Sequence, residues 1–130
     1  HGAPATFIRR ANEVNLEMPE YIVRRVAEDN GGNLQGKNVL VVGVAYKPNV
    51  ADVRETAAEL VIQHLRSQGA VVSWHDEVVG NWKGESSAPL NGADIAVVVT
   101  KHDSVDEKKI MKSAPYVFDT TGKVKGAKGL

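Results

Sequence analysis

Gly43-Val44-Ala45-Tyr46-Lys47-Pro48-Asn49-Val50-Ala51-Asp52-Val53-Arg54-Glu55-Thr56 follows the apolar run Val39-Leu40-Val41-Val42 and leads into a segment with helical spacing. This reads as strand, turn and helix. A glycine closing a buried strand lets the backbone turn sharply, and the free N–H groups at the start of the next helix favour an anionic ligand such as a pyrophosphate. Glycine-rich dinucleotide turns carry a second glycine so that the pyrophosphate can approach bare backbone. Here Ala45, Tyr46 and Lys47 fill that stretch. A ligand at this turn therefore meets an aromatic ring and an ammonium group.

Outward from the turn, the pattern is that of an α/β domain. Strands are expected at residues 38–43, 70–75, 94–100 and 116–119, and helices at 53–68 and 104–112. Runs such as Ile95-Ala96-Val97-Val98-Val99 lack polar alternation, which marks strands buried on both faces in a mostly parallel sheet between helices, a three-layer α/β/α architecture. Residues 76–93, rich in Gly, Ser, Asn and Pro, exceed a usual connection and are either a site-facing loop or a lost helix. Upstream, Phe7-Ile8, Val14, Met18, Tyr21-Ile22 and Val26 recur at roughly helical spacing. They predict a helix over 5–29, restarted or kinked at Pro19 and stopped by Asn30-Gly31-Gly32-Asn33. Residues 123–130 read as a weakly ordered tail.

With 130 residues and 42% hydrophobic content, the chain suffices for one compact domain with a core. Its 16 basic and 16 acidic side chains cancel, so no global field recruits nucleic acid or an anionic membrane. No apolar run approaches the length of a membrane span and no signal-like apolar core stands near the start. A cytoplasmic location is expected. The lack of cysteine removes disulfides and thiol catalysis from this chain. It begins at His1 rather than methionine, and a longer parent protein is expected.

Gly43, Ala45, Tyr46, Lys47, Pro48, Asp52, Arg54, Glu55 and Thr56 fall in register with a known signature. The stretch resembles the G-x-A-[FY]-K-P-x-x-x-D-x-R-E-[ST] motif that opens the C-terminal domain of the UDP-glucose/GDP-mannose dehydrogenase family. Arg10-Ala11-Asn12-Glu13-Val14-Asn15 with Met18-Pro19 upstream, and Ala93-Asp94, Val99-Thr100, His102 and Phe118-Asp119-Thr120 downstream, extend the similarity over nearly the whole chain. Within the family, Val44-Ala45-Tyr46-Lys47-Pro48-Asn49-Val50 is most similar to enzymes acting on UDP-N-acetylhexosamines, the UDP-N-acetylglucosamine and UDP-N-acetylmannosamine 6-dehydrogenases.

The resemblance implies a Rossmann-like UDP-sugar-binding domain over residues 34–130. Residues 1–33 would be the end of a helix that joins two domains and packs dimers, against the alternative of a helix that only covers its own domain. It further implies a parent enzyme that oxidises a sugar C6 alcohol to a carboxylate in two hydride transfers to NAD, through a thioester on a catalytic cysteine. Both the NAD domain and that cysteine would precede this chain. Alone, the chain is expected to bind a UDP-sugar without catalysis, to hold neither NAD nor metal, and to form a homodimer through its first helix. Two other readings remain: a stand-alone NAD-binding module, and a structural oligomerisation domain without nucleotide affinity.

Among individual residues, Lys47 is the leading candidate for ligand binding. It lies beyond the end of a parallel strand, where open α/β sheets bind ligands, and offers a point charge to a phosphate or sugar hydroxyl. Tyr46 either flanks the sugar nucleotide or packs under the loop. Arg54, set against the dipole of the expected helix, calls for a partner: ligand phosphate, a carboxylate or a subunit contact. Asp52 and Glu55 have the spacing of a capping box for that helix. Thr100, Lys101 and His102 follow the third sheet strand, again at its C-terminal end, where they are placed to line the same crevice; His102 is either a ligand contact or simply solvated. Asp76 stands where a Rossmann unit places its ribose-binding acid, but further from Gly43 than the usual interval of about 20 residues, and a turn-closing role is favoured. Family members commonly carry an arginine after the Asp-Thr pair of the last strand. Here Lys123 is the nearest cation and lacks the bidentate fork.

Overall fold

The computed structural model describes residues 17–54 and 56–129. Along the chain run helix α1 (Glu17–Asp29), strand β1 (Asn38–Val42), helix α2 (Ala57–Ser67), strand β2 (Val71–His75), a small hairpin of β3 (Asn81–Trp82) and β4 (Glu85–Ser86), strand β5 (Ile95–Val98), helix α3 (Glu107–Lys112), and strands β6 (Tyr116–Asp119) and β7 (Lys128–Gly129). The sheet order is β2-β1-β5-β6-β7, and every pairing in it is parallel. Val39 sits between Val72 and Ile95, and Val42 between His75 and Val98.

Successive strand residues point to opposite faces, and here both faces are covered. Val39, Val41, Ile95, Val97 and Phe118 pack against Ile22, Val23 and Val26 of α1 and Val61, Ile62 and Leu65 of α2. Leu40, Val42, Ala96, Val98 and Val117 pack against Val105 and Ile110 on the α3 side. This double burial accounts for the unbroken apolar runs of β1 and β5. Each fully buried Val or Leu contributes roughly 1.5–3 kcal/mol relative to exposure.

Of the helix expected over 5–29, residues 17–29 are α1, and residues 5–16 lie outside the described residues. The buried stripe of α1 covers its own domain, and the helix ends where Asn30 N–H and Gly32 N–H both return to the Ala27 carbonyl. Gly31 and Gly32 take φ of +93° and +94° there, which glycine adopts without steric cost.

Two expectations are corrected, and one alternative is resolved. The helix expected from 53 begins at Ala57, because Thr56 rather than Asp52 is its N-cap: the Thr56 hydroxyl accepts from the Ala58 N–H at 3.2 Å. The tail is not loose, since Val124 is buried and β7 joins β6 through Phe118–Lys128 and Asp119–Gly129 pairing. Residues 76–93 are a loop carrying the β3–β4 hairpin rather than a lost helix. Trp82 of that hairpin packs edge-on against Trp74, with ring centroids 5.9 Å apart, and the neighbouring Lys83 pairs with Glu59 of α2 at 2.9 Å.

Candidate functional site

The connection from β1 to β2 runs through α2 on one face, while α3 covers the opposite face beside β5. The chain order thus reverses between β1 and β5, and in open α/β sheets such a switch point opens a ligand crevice at the carboxyl ends of the strands. Gly43, immediately after β1, has φ of +86°, and a Cβ there would collide with the Thr100 backbone. Its N–H donates to the His75 carbonyl at 2.8 Å. The ends of β1, β2 and β5 are therefore in direct contact, and glycine is the residue that permits it.

From this junction the chain leaves on a long loop that is fastened from below. Asp76 Oδ2 accepts from the N–H groups of Val44 (2.9 Å) and Ala45 (3.1 Å). The Ala45 carbonyl accepts from the Thr100 hydroxyl at 2.8 Å and the Thr56 hydroxyl at 3.4 Å. Tyr46 N–H closes the loop on the Asp52 carbonyl at 2.6 Å. Further along, the Asn49 N–H donates to His102 Nδ1 at 2.7 Å. The Asn49 amide also exchanges two hydrogen bonds with Asp103: Nδ2 to Oδ2 at 3.1 Å, and Asp103 N–H to Asn49 Oδ1 at 2.9 Å. Between these anchors Tyr46 stands 55% exposed and Lys47 is exposed beside it.

Asp76 and His102 form the buried hub beneath this loop, each 1% exposed. His102 Nε2 lies 2.9 Å from both carboxylate oxygens. Because Nδ1 accepts from the Asn49 amide, the proton of the imidazole sits on Nε2 and donates to Asp76, which assigns the neutral tautomer. Burial by itself raises the Asp76 pKa, but the hydrogen bonds from His102 and from the Val79 and Val44 amides outweigh it, and the carboxyl is held below its ordinary value. The Val79 N–H bond to Asp76 Oδ1, at 3.0 Å, also closes the turn after β2. Asp76 thus closes its turn as expected and braces the signature loop as well.

The expected site residues divide into two groups. Lys47 follows β1, Lys101 follows β5 and Lys123 follows β6, three strands that are adjacent and parallel in the sheet. The Lys101 ammonium donates to the His102 carbonyl at 2.9 Å. Lys123 rides on a loop built by Asp119, which accepts from the Thr121 N–H and hydroxyl and from the Val124 N–H. Arg54 finds its partner in Asp52, through Nε at 3.1 Å and Nη2 at 2.8 Å. Those contacts, with the Arg54 N–H, lower the Asp52 pKa to about 2.

His102 is corrected as a ligand contact: the ring is buried and both nitrogens are engaged, so it holds the loop. Asp52 is corrected as a helix cap and instead accepts the Arg54 N–H at 2.9 Å in a local turn. The side chain of Glu55 lies outside the described residues. Asn49 and Thr56 were missed, though both left a signal. Thr56-Ala57-Ala58-Glu59 is itself a capping-box pattern, and asparagine after proline suits the left-handed φ of +67° that Asn49 adopts.

A cleft of about 330 Å³ is lined by His75, Glu77, Leu90, Val105, Asp106 and Lys109. Among the described residues, no group of His, Asp and Glu has the arrangement of a metal site, and no helix is long and apolar enough to cross a membrane.

Known proteins resemble this chain in sequence and in fold. The UDP-N-acetyl-D-mannosamine dehydrogenase of Methanococcus maripaludis is 36% identical over 128 residues, covering 89% of this chain and 30% of its own length. The UDP-glucose 6-dehydrogenase of Rhizobium meliloti is 32% identical over 76 residues, or 58% of this chain and 17% of its own. Among solved structures, the UDP-N-acetyl-mannosamine dehydrogenase Cap5O from S. aureus shares the fold with a TM-score of 0.68 at 24% identity, over 88% of this chain and 29% of that one. The NDP-N-acetyl-D-galactosaminuronic acid dehydrogenase from Methanosarcina mazei gives 0.64 at 27% identity, over 81% and 25%. The chain therefore spans less than a third of the length of these relatives. Residues 40–126, which contain the signature loop, the hub and Lys47, Lys101 and Lys123, match the profile described as the UDP-glucose/GDP-mannose dehydrogenase family, UDP binding domain, and the chain belongs to that family.

Proposed function

We propose that residues 34–130 bind the UDP moiety of a UDP-sugar at the switch-point rim, as the C-terminal domain of an NAD-dependent nucleotide-sugar 6-dehydrogenase. The observation that carries this reading is the outward Tyr46-Lys47 tip, exposed on a loop that is tied to the fold on either side of it, at Val44 and Ala45 and at Asn49. Lys47 and Lys123 supply charge to the diphosphate, Arg54 adds a further cation at the loop's far end, and Tyr46 offers a ring face to the sugar nucleotide. Of the described carboxylates here, Asp52 is charge-paired with Arg54, and Asp76, Asp103 and Asp119 accept hydrogen bonds from His102, from Asn49 and from the loop after β6. A UDP-N-acetylhexosamine is the favoured ligand class, in keeping with the names of the Methanococcus and S. aureus relatives.

The residues present do not fit NAD. The turn after β1 carries Ala45, Tyr46 and Lys47 in place of bare glycine backbone, and Asp76 has its oxygens committed to backbone amides and His102. No hydride-transfer step is therefore assigned to this chain. The whole enzyme would oxidise the sugar C6 alcohol to the carboxylate, with NAD and the nucleophilic cysteine carried by sequence outside these residues and the cytoplasm as its expected location. Alone, the chain binds and does not catalyse. Isothermal titration with UDP, UDP-N-acetylglucosamine and NAD is the test: saturable heat with the first two and none with NAD is expected. NAD binding without UDP binding would replace this reading by the dinucleotide module.

The homodimer through the first helix belongs to the same proposal. Because α1 turns its apolar stripe onto its own domain, the contact would involve residues 5–16 and the outer face of α1 around Glu20, Arg24 and Glu28, which are exposed. Sedimentation before and after removal of residues 1–16 reads it. An unchanged monomer in both would remove the dimer and leave α1 as a cover for its own core.

A further inference from the structure

We propose that His102 is a positioning residue for the Tyr46-Lys47 tip: its imidazole, anchored on Asp76, holds the Asn49 amide and so fixes the direction from which Lys47 meets an anionic ligand. The inference rests on the UDP-binding reading and deepens it. The two ring nitrogens face different parts of the molecule. Nε2 faces the body of the fold, where Asp76 is tied to the Val44, Ala45 and Val79 amides. Nδ1 faces the tip, where it receives the Asn49 N–H two residues after Lys47.

A second device lies alongside. The Asn49 side chain and Asp103 exchange two hydrogen bonds, so the loop after β1 is clasped to the loop after β5 by three bonds at one residue. The Lys101 ammonium, held on the His102 carbonyl, braces the same segment. Asn49 carries its φ of +67° at the point where the chain turns back from the tip, a conformation asparagine tolerates and most side chains resist. A tip held this way meets its ligand already ordered, and the ordering cost is not charged against binding.

The plainer alternative is a satisfied core histidine that only stabilises the fold, and the two nitrogens separate the cases. In His102→Asn the side-chain oxygen can stand where Nδ1 stood and accept from Asn49, while the bond to Asp76 is lost. In His102→Gln the amide can reach the Nε2 position and donate to Asp76, while Asn49 loses its acceptor. Both variants of the full 130-residue chain should melt earlier than the parent. Hydrogen exchange at the Asn49 amide, followed by NMR without ligand, should accelerate in His102→Gln and remain protected in His102→Asn. Affinity for UDP, measured by calorimetry, should fall about tenfold in His102→Gln, as expected if the binding-competent tip is populated about one time in ten. The loss should be smaller in His102→Asn. Affinity that follows the melting temperature and ignores Asn49 protection would overturn the positioning role, as would an Asn49 amide no better protected in the parent than in His102→Gln. A parent chain that takes up no UDP would instead overturn the ligand reading, and this role with it, whatever the exchange shows.

Discussion

Gly43 and Thr100 touch backbone to backbone at the reversal of the sheet, with no room for a side chain between them. The contact joins the loop after β1 to the loop after β5 and sets the height from which the Tyr46-Lys47 tip rises. Gly43→Ala meets two penalties at once: a left-handed φ, which disfavours any Cβ, and overlap with the Thr100 carbonyl just beyond the end of β5. A loss of about 1–3 kcal/mol is expected from strain of this kind. Urea unfolding measures it, and a variant as stable as the parent would mean that the two loops part easily.

Lys47→Ala tests the tip itself. An exposed loop side chain contributes little to folding, so stability should change by less than about 0.5 kcal/mol. A charge-assisted contact is worth about 1.5–3 kcal/mol, which predicts a roughly ten- to hundredfold weaker affinity for UDP. Calorimetric titration beside a thermal melt gives both numbers. If the variant unfolds early and the residual folded fraction binds UDP normally, Lys47 is a structural residue.

The start of α2 provides a contrast between two hydroxyl- or carboxylate-bearing residues. Thr56 is buried and caps Ala58, so Thr56→Ala should cost about 1 kcal/mol. Among the described residues the Asp52 carboxylate accepts from Arg54 rather than from the helix start, so Asp52→Ala should leave the melting temperature close to that of the parent. The same substitution removes one partner of Arg54 and is expected to alter the salt dependence of UDP binding. A larger stability loss at Asp52 than at Thr56 would put the helix start back where the Asp-x-x-Glu spacing suggested.

That helix start indicates where sequence reading works and where it stops. The strands β1 and β5 were legible because burial on both faces leaves an unbroken apolar run, a signal carried by each strand alone. The exposed Lys47 was legible because a residue just beyond a parallel strand has few places to go. Two overlapping cap patterns, Asp52 with Glu55 and Thr56 with Glu59, cannot be ranked locally; the choice is made by the Thr56 hydroxyl finding the Ala45 carbonyl on another segment. The hub is of the same kind. Asp76 meets Val44 across 32 positions and His102 across 26, and no local pattern distinguishes such an aspartate from one that closes a turn. β7 is two residues long, too short for a periodic signal, and it exists because β6 offers a free edge.

Acid should act through Asp76. Its pKa in the folded chain lies below the ordinary value, whereas the unfolded chain titrates near 3.9. The carboxylate therefore contributes stability that is fully present above that unfolded value and is lost as pH falls through the lower folded one. Asp76→Asn removes the charge and turns an amide donor toward backbone N–H groups, and losing hydrogen bonds to a charged acceptor typically costs about 1.5–3 kcal/mol. The difference in unfolding free energy between parent and variant should be constant near neutrality and should narrow from about pH 5 downward as the parent loses its own charge. Urea titrations of both chains across that range measure the gap. Parallel acid limbs, with the gap unchanged to the lowest pH at which both remain folded, would show that the Asp76 charge does not hold the loop and that only the shape of its side chain matters.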